Sequence, residues 1–150
     1  MIPPNPWEHQ NAVKTLYSRC MEDTCAKHAI TRMELDILLF LANNPRYHTA
    51  KEIVEVRYLS KSQVSASITL LEQRGFLRKE YAENNRKTAY LRICDGARPI
   101  IADGRTAQER FIRILLRGFS PEERERLQSD NERILRNINE YWKGDTENAF

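Results

Sequence analysis

The sequence predicts a mainly α-helical fold that carries a small two-to-three-stranded β wing. Three observations predict it. Four Ser/Thr residues are each followed three positions later by Glu or Gln and open a helix-length stretch: Thr31 with Glu34, Thr49 with Glu52, Ser60 with Gln63 and Ser120 with Glu123. In this pattern the hydroxyl accepts from a first-turn N–H while the acid or amide reaches back to the cap's own N–H. The hydrophobic period changes from helical to alternating between Phe76 and Ile93, and becomes helical again from Gly96.

The elements follow in order. From about Glu8 to His28, the residues Val13, Tyr17, Cys20, Met21, Thr24 and Cys25 form one stripe at helical spacing. Arg32 to Ala42 is so rich in Leu, Ile and Phe that its helix must be buried on several sides, and Asn43-Asn44-Pro45 ends it. A short third helix runs from Ala50 to about Val56, and a fourth from Lys61 to Arg74, stopped by Gly75. Phe76–Tyr81 and Thr88–Ile93 read as strands around a polar hairpin tip, Ala82 to Lys87. A fifth helix carries Ala97, Ile100, Ile101, Phe111, Ile112 and Leu115. After Ser120, with Pro121 suited to the first helical position, a last helix carries Leu127, Ile134, Leu135, Ile138, Tyr141 and Trp142.

The chain has 150 residues, 41% hydrophobic and 30% charged, which suits a globular helical protein and excludes a disordered one. No repeat or linker divides it, so residues 1–150 are expected to form a single domain. Its three cysteines give no disulfide framework, and no apolar run of signal or membrane-span length follows the proline-rich start, so a cytoplasmic location is expected. The net charge of +3 is unevenly spread. Arg46 to Arg92 holds ten Lys and Arg against five Asp and Glu, and the remainder holds fourteen against sixteen. A basic middle between near-neutral flanks points to a nucleic-acid face.

Helices two to four with a basic-tipped hairpin make a winged helix-turn-helix. On the fourth helix Val64, Ile68 and Leu71 share one face, and Ser62, Gln63, Ser65, Ala66 and Thr69 the other. The second face is thin and polar, as entry into a major groove requires; an ordinary solvated face would carry Glu and Lys instead. Arg86 and Lys87 are placed to reach a minor groove or phosphates. Lys51, Arg57, Lys61, Arg74 and Arg78 are candidate phosphate contacts.

The run Ile53-Val54-Glu55 … Leu59-Ser60-Lys61-Ser62-Gln63-Val64-Ser65, with Leu71-Glu72-Gln73-Arg74-Gly75-Phe76-Leu77-Arg78, resembles the MarR family of winged-helix bacterial transcriptional regulators. The order of one helix, winged domain and two long C-terminal helices resembles it too. The resemblance implies a homodimer built by helices in residues 1–30 and 96–150, with residues 31–95 binding double-stranded DNA. It also implies that the fourth helix reads the major groove and that the wing carries an Asp-x-Arg motif. The matching positions here are Asn85 and Lys87 with Arg86 between them, and Asn85 lacks the charge of Asp as Lys87 lacks the planar fork of Arg. At the end of the second strand Ile93-Cys94 replaces the family's Leu-Thr, leaving Asp95 to cap the fifth helix.

The function so implied is that of a sequence-specific regulator, a repressor, bound as a homodimer to a pseudo-palindromic operator and released by a signal. The alternative is a winged-helix protein-interaction module, which would expose aromatic or leucine anchors on the fourth helix. Enzyme chemistry is excluded by scattered His9, His28 and His48 and by the lack of a phosphate loop or nucleophile signature. No cofactor or metal is expected, and Cys20 and Cys25, five apart, stand roughly 140° apart on a helix. The signal is either a small aromatic or phenolic effector, as some relatives take in a cleft beside the dimer helices, or an oxidant acting on Cys20 or Cys25. Both cysteines lie on the apolar stripe, which favours packing over reactivity.

Overall fold

The structure, a computed structural model, describes residues 5–57 and 59–147; the first four residues of the proline-rich start lie outside it. Six α-helices and one two-stranded antiparallel sheet occupy the described residues: α1 (Pro6–His28), α2 (Arg32–Asn43), α3 (Ala50–Arg57), α4 (Lys61–Gln73), β1 (Leu77–Ala82), β2 (Asn85–Ile93), α5 (Arg98–Leu115) and α6 (Pro121–Glu147). The chain falls into two compact units, residues 1–112 and 113–150.

In the first unit α2 is the centre. Leu35, Ile37, Leu38, Leu39, Phe40 and Leu41 are all buried, so the helix is covered on several sides as its composition demanded. Met21 of α1, Ile53 of α3, Val64, Ile68 and Leu71 of α4, Leu77 and Leu91 of the sheet, and Ile100 and Ile101 of α5 complete this core. The α1 stripe is real: Cys20, Met21 and Thr24 are buried and Val13, Tyr17 and Cys25 half-buried.

Three of the four expected capping boxes form. Thr31 Oγ1 accepts from Glu34 N at 3.1 Å while Glu34 Oε1 accepts from Thr31 N at 3.1 Å. Thr49 and Glu52 bond reciprocally at 3.2 Å, and Ser120 and Glu123 at 3.1 and 2.7 Å. The fourth does not form: Ser60 makes no side-chain cap bond, its hydroxyl lying 3.0 Å from Ser62 Oγ. The Ser60 hydroxyl is engaged with Ser62, and Gln63 is left exposed. At the other end of α4, Gly75 takes φ +76°, and Phe76 N donates to Leu71 O at 2.9 Å and Gly75 N to Glu72 O at 3.0 Å. These two bonds are the Schellman closure that frees the chain to enter β1.

Expectations at the sheet and beyond it are corrected. The six-residue tip shrinks to the turn Glu83-Asn84, because Ala82 pairs with Asn85, so Arg86 and Lys87 stand within β2. Register runs Leu77↔Ile93 to Glu80↔Tyr90 and then shifts before Ala82, which lets β2 hold the longer basic stretch. A third strand is reduced to one bond, Leu91 N to His48 O at 2.7 Å. The fifth helix begins later than expected: residues 95–97 form a 3₁₀ turn whose cap, Cys94, makes no side-chain bond. Asp95 does not cap it but pairs with Arg98 at 2.9 Å. Pro99 lies in the first turn of α5, where its missing N–H costs nothing.

In the second unit α5 ends at Leu115, and Gly118 at φ +84° leads the chain through a turn to the Ser120–Glu123 cap. Along α6, Ile134, Ile138 and Tyr141 recur at helical spacing with Leu127, and the first three are exposed. Among the described residues no helix is long and apolar enough to cross a membrane.

Candidate nucleic-acid interface

Helix α4 divides its residues by face as the spacing requires. Val64, Ile68 and Leu71 are buried against the core with Ser67, while Ser62, Gln63, Ser65, Ala66 and Thr69 are all exposed. The apolar trio fixes rotation about the helix axis, so the exposed five are presented by a rigid element. All but Gln63 have short side chains, which lets a partner surface come close to the helix backbone. Thr69 Oγ1 donates to Ser65 O at 3.1 Å, so that hydroxyl offers only acceptor capacity outward. Leu70, at the edge of this face, is also exposed.

The wing adds its charge on two sides. Two hollows flank it, and Arg86 and Lys87 line different ones. Lys87 lines a 390 Å³ hollow shared with Lys51, Lys79, Thr49 and Ser65, between α3, α4 and the sheet. Arg86 lines a separate one beside the turn, with Tyr81, Ala82 and Glu83. Asn85 Oδ1 accepts from Lys87 N at 3.0 Å, so the side chain in the position of the family's Asp orders the backbone of the third motif residue. Lys79 was missed in the sequence. Its place in the hollow depends on β1 pairing, Lys79 opposite Leu91, which alternation alone does not give.

The five candidate phosphate contacts part company. Lys61 is exposed at the start of α4 and has no ion pair among the described residues. Lys51 is exposed and loosely paired with Glu55 at 3.8 Å. Arg57, the last residue of α3, lies 3.9 Å from Asp36, whose other oxygen accepts from Arg32 at 2.9 Å. Arg78 is held by Glu80, which also takes Arg92 at 2.9 Å; hydrogen bonds from Arg92 and Arg78 hold the Glu80 carboxyl below its ordinary pKa. Arg74 is exposed but already engaged within the chain. Its guanidinium donates to Ala29 O at 2.6 Å and His28 O at 3.0 Å and lies 4.9 Å from the Phe76 ring. The exposed carbonyls at the α1 C-terminus, the negative end of that helix, attract it.

The cysteines are free thiols. Cys20 is buried, and Cys25 and Cys94 are half-buried. Burial pushes the Cys25 thiol above its ordinary pKa, against the pull of Arg32, with Asp36 and Glu34 adding to the rise. Among the described residues no three His, Cys, Asp or Glu are grouped as metal ligands would be.

The fold and this surface define a winged helix-turn-helix protein with long flanking helices. Residues 29–87 match the sequence model of the MarR family, the family that the residue pattern of this segment resembles. No protein of curated function matches the chain. Among solved structures, the chain is similar to a MarR family transcriptional regulator from Listeria monocytogenes complexed with a 26mer DNA. That match has 18% identity and TM-score 0.78, covering 90% of this chain and 89% of the other. It is similar also to a MarR protein from Peptoclostridium difficile, with 16% identity, TM-score 0.78, and coverage of 95% and 94%. A third is the S. aureus MepR–DNA complex, with 12% identity, TM-score 0.71, and coverage of 92% and 99%.

Proposed function

We propose that the chain is a sequence-specific DNA-binding transcriptional regulator of the MarR family, acting as a homodimer on a pseudo-palindromic operator. The observation that carries this reading is the exposed face of α4: four short side chains and Gln63, mostly polar, on a helix locked by Val64, Ile68 and Leu71. Such a face fits base edges, and the lysines of the adjoining hollow fit the phosphates beside them. A protein-docking module would present large apolar anchors there, and only Leu70 is of that kind. Two of the similar solved structures are complexes with DNA, which agrees with the reading.

The homodimer is supported by the exposed Ile134, Leu135, Ile138 and Tyr141 of α6, an apolar stripe too large to be left in water. We read the chain as a repressor released by a small aromatic or phenolic effector. Oxidant release through Cys20 or Cys25 is disfavoured, since the first is buried and the second has a raised pKa, the reverse of what a reactive thiolate needs. Sedimentation at micromolar concentration should give twice the chain mass. DNA binding should weaken steeply with salt and should not respond to peroxide. A soluble monomer, or loss of binding on oxidation that Cys25→Ser abolishes, contradicts the corresponding part.

A further inference from the structure

Arg74, at the carboxyl end of α4, joins two elements that the proposed function assigns to different tasks. Through Ala29 O and His28 O, at 2.6 and 3.0 Å, it grips the corner where α1 ends and turns into α2. Ala29 in that corner sits at φ 50°, a left-handed conformation that a side chain disfavours, so the corner is a tight, fixed shape. The same corner is tied to α5: His28 Nε2 lies 2.7 Å and Lys27 Nζ 2.8 Å from Asp103 Oδ2. Its Arg clamp is therefore anchored on two sides, and Arg74 is the piece that extends it to α4.

Resting on the reading of a DNA-binding dimer, we infer that Arg74 sets the angle of α4 against α1, and through it the separation of the two reading helices across the dimer. It is then a positioning residue for half-site spacing and contributes no phosphate contact. The lever arm is long. Helix α4 has 13 residues, about 20 Å at 1.5 Å per residue, so a tilt of about 10° at its carboxyl end moves its reading end by about 3.4 Å. That displacement equals the rise of one base pair along a strand, about 3.4 Å. The planar guanidinium matters because it serves two adjacent carbonyls at once. A lysine keeps the charge but presents a compact ammonium in place of the planar fork that spans the two carbonyls.

The test uses the full-length dimer and the duplex it selects from a random pool, together with the same duplex lengthened or shortened by one base pair between half-sites. Wild type, Arg74→Lys and Arg74→Ala are compared on these three duplexes and on random DNA across a salt series, with thermal melting and sedimentation as controls. Both variants are expected to lose about tenfold in preference for the native spacing, the scale of the two lost hydrogen bonds. Random-DNA affinity and the salt slope should stay as in wild type. If Lys restores wild-type behaviour and Ala lowers the log–log salt slope by about one phosphate's worth, about 0.9, Arg74 is a phosphate contact and the inference is overturned. Unchanged spacing preference in a folded Arg74→Lys dimer overturns it as well. Wild type that selects no duplex overturns the functional reading itself, a result the variants cannot produce.

Discussion

Gly104 of α5 lies so close to Leu39 of α2 that a Cβ added to it would stand 2.9 Å from Leu39 Cδ2 and 3.2 Å from Leu35 Cδ1. Both leucines are at the centre of the core, with Leu39 only 1% exposed, so neither can swing aside. The absence of a side chain is what allows α5 to cross α2 at this depth. Asn43 and Arg105, bonded at 3.0 Å, hold the crossing from the surface.

Gly104→Val should therefore destabilise the protein by about 1–3 kcal/mol, an overpacking cost that outweighs any gain from replacing a helical glycine. Denaturant unfolding measures it. A variant as stable as wild type shows that the crossing has slack.

Acid should weaken the α3 cap. Burial works to raise the Glu52 pKa, but the N–H groups of His48 and Thr49, the Thr49 hydroxyl and the His48 charge outweigh it, and the net shift is downward. A carboxyl with a lowered folded pKa adds stability that is present above its unfolded pKa and fades as pH falls through the folded one. Glu52→Gln should flatten the acid limb of the stability curve below the ordinary carboxylate range and leave its neutral-to-alkaline shape unchanged. Parallel acid limbs for the two proteins would show that the cap bonds do not favour the carboxylate.

Gln63→Ala isolates base reading. Gln63 is exposed and takes no part in a cap, so its loss should leave the melting temperature unchanged. Specific-site affinity should fall by about 1–3 kcal/mol, with relaxed preference at one position per half-site. If the preference survives intact, another residue of α4 reads that position.

Arg86→Ala with Lys87→Ala tests the wing. The two residues line separate hollows beside the wing and should contact phosphates or a minor groove, which carry little sequence information. Specific and random binding should weaken together, and the salt slope should flatten by about 0.9 for each phosphate lost. Loss of sequence preference at one position, with random binding kept, would make the wing the reader.

Much of this was legible in the chain because it is local. The α2 composition, the alternation of Leu91 and Ile93 and the Gly75 stop each depend on neighbours within a turn or a strand. The two faces of α4 follow from spacing alone, and the structure presents them as read. What the sequence hid is long-range or a contest between near-equal partners. Arg74 reads as surface charge until the fold brings Ala29 beside it across 45 positions. Ser60 matches a cap pattern, yet its hydroxyl meets that of Ser62 and makes no cap bond. The two-residue wing turn required the register shift after Glu80, which places Arg86 and Lys87 in the strand.

The central claim is that α4 reads DNA in a two-fold dimer, and selection of bound duplexes from a random pool tests it most directly. The expected result is enrichment of a pseudo-palindrome whose half-sites are centred about one helical turn apart, 10–10.5 base pairs. Its binding should weaken with salt, and its preferred bases should be those that change in Gln63→Ala. A pool that stays random after selection, or that converges on a single unrepeated half-site, would contradict it.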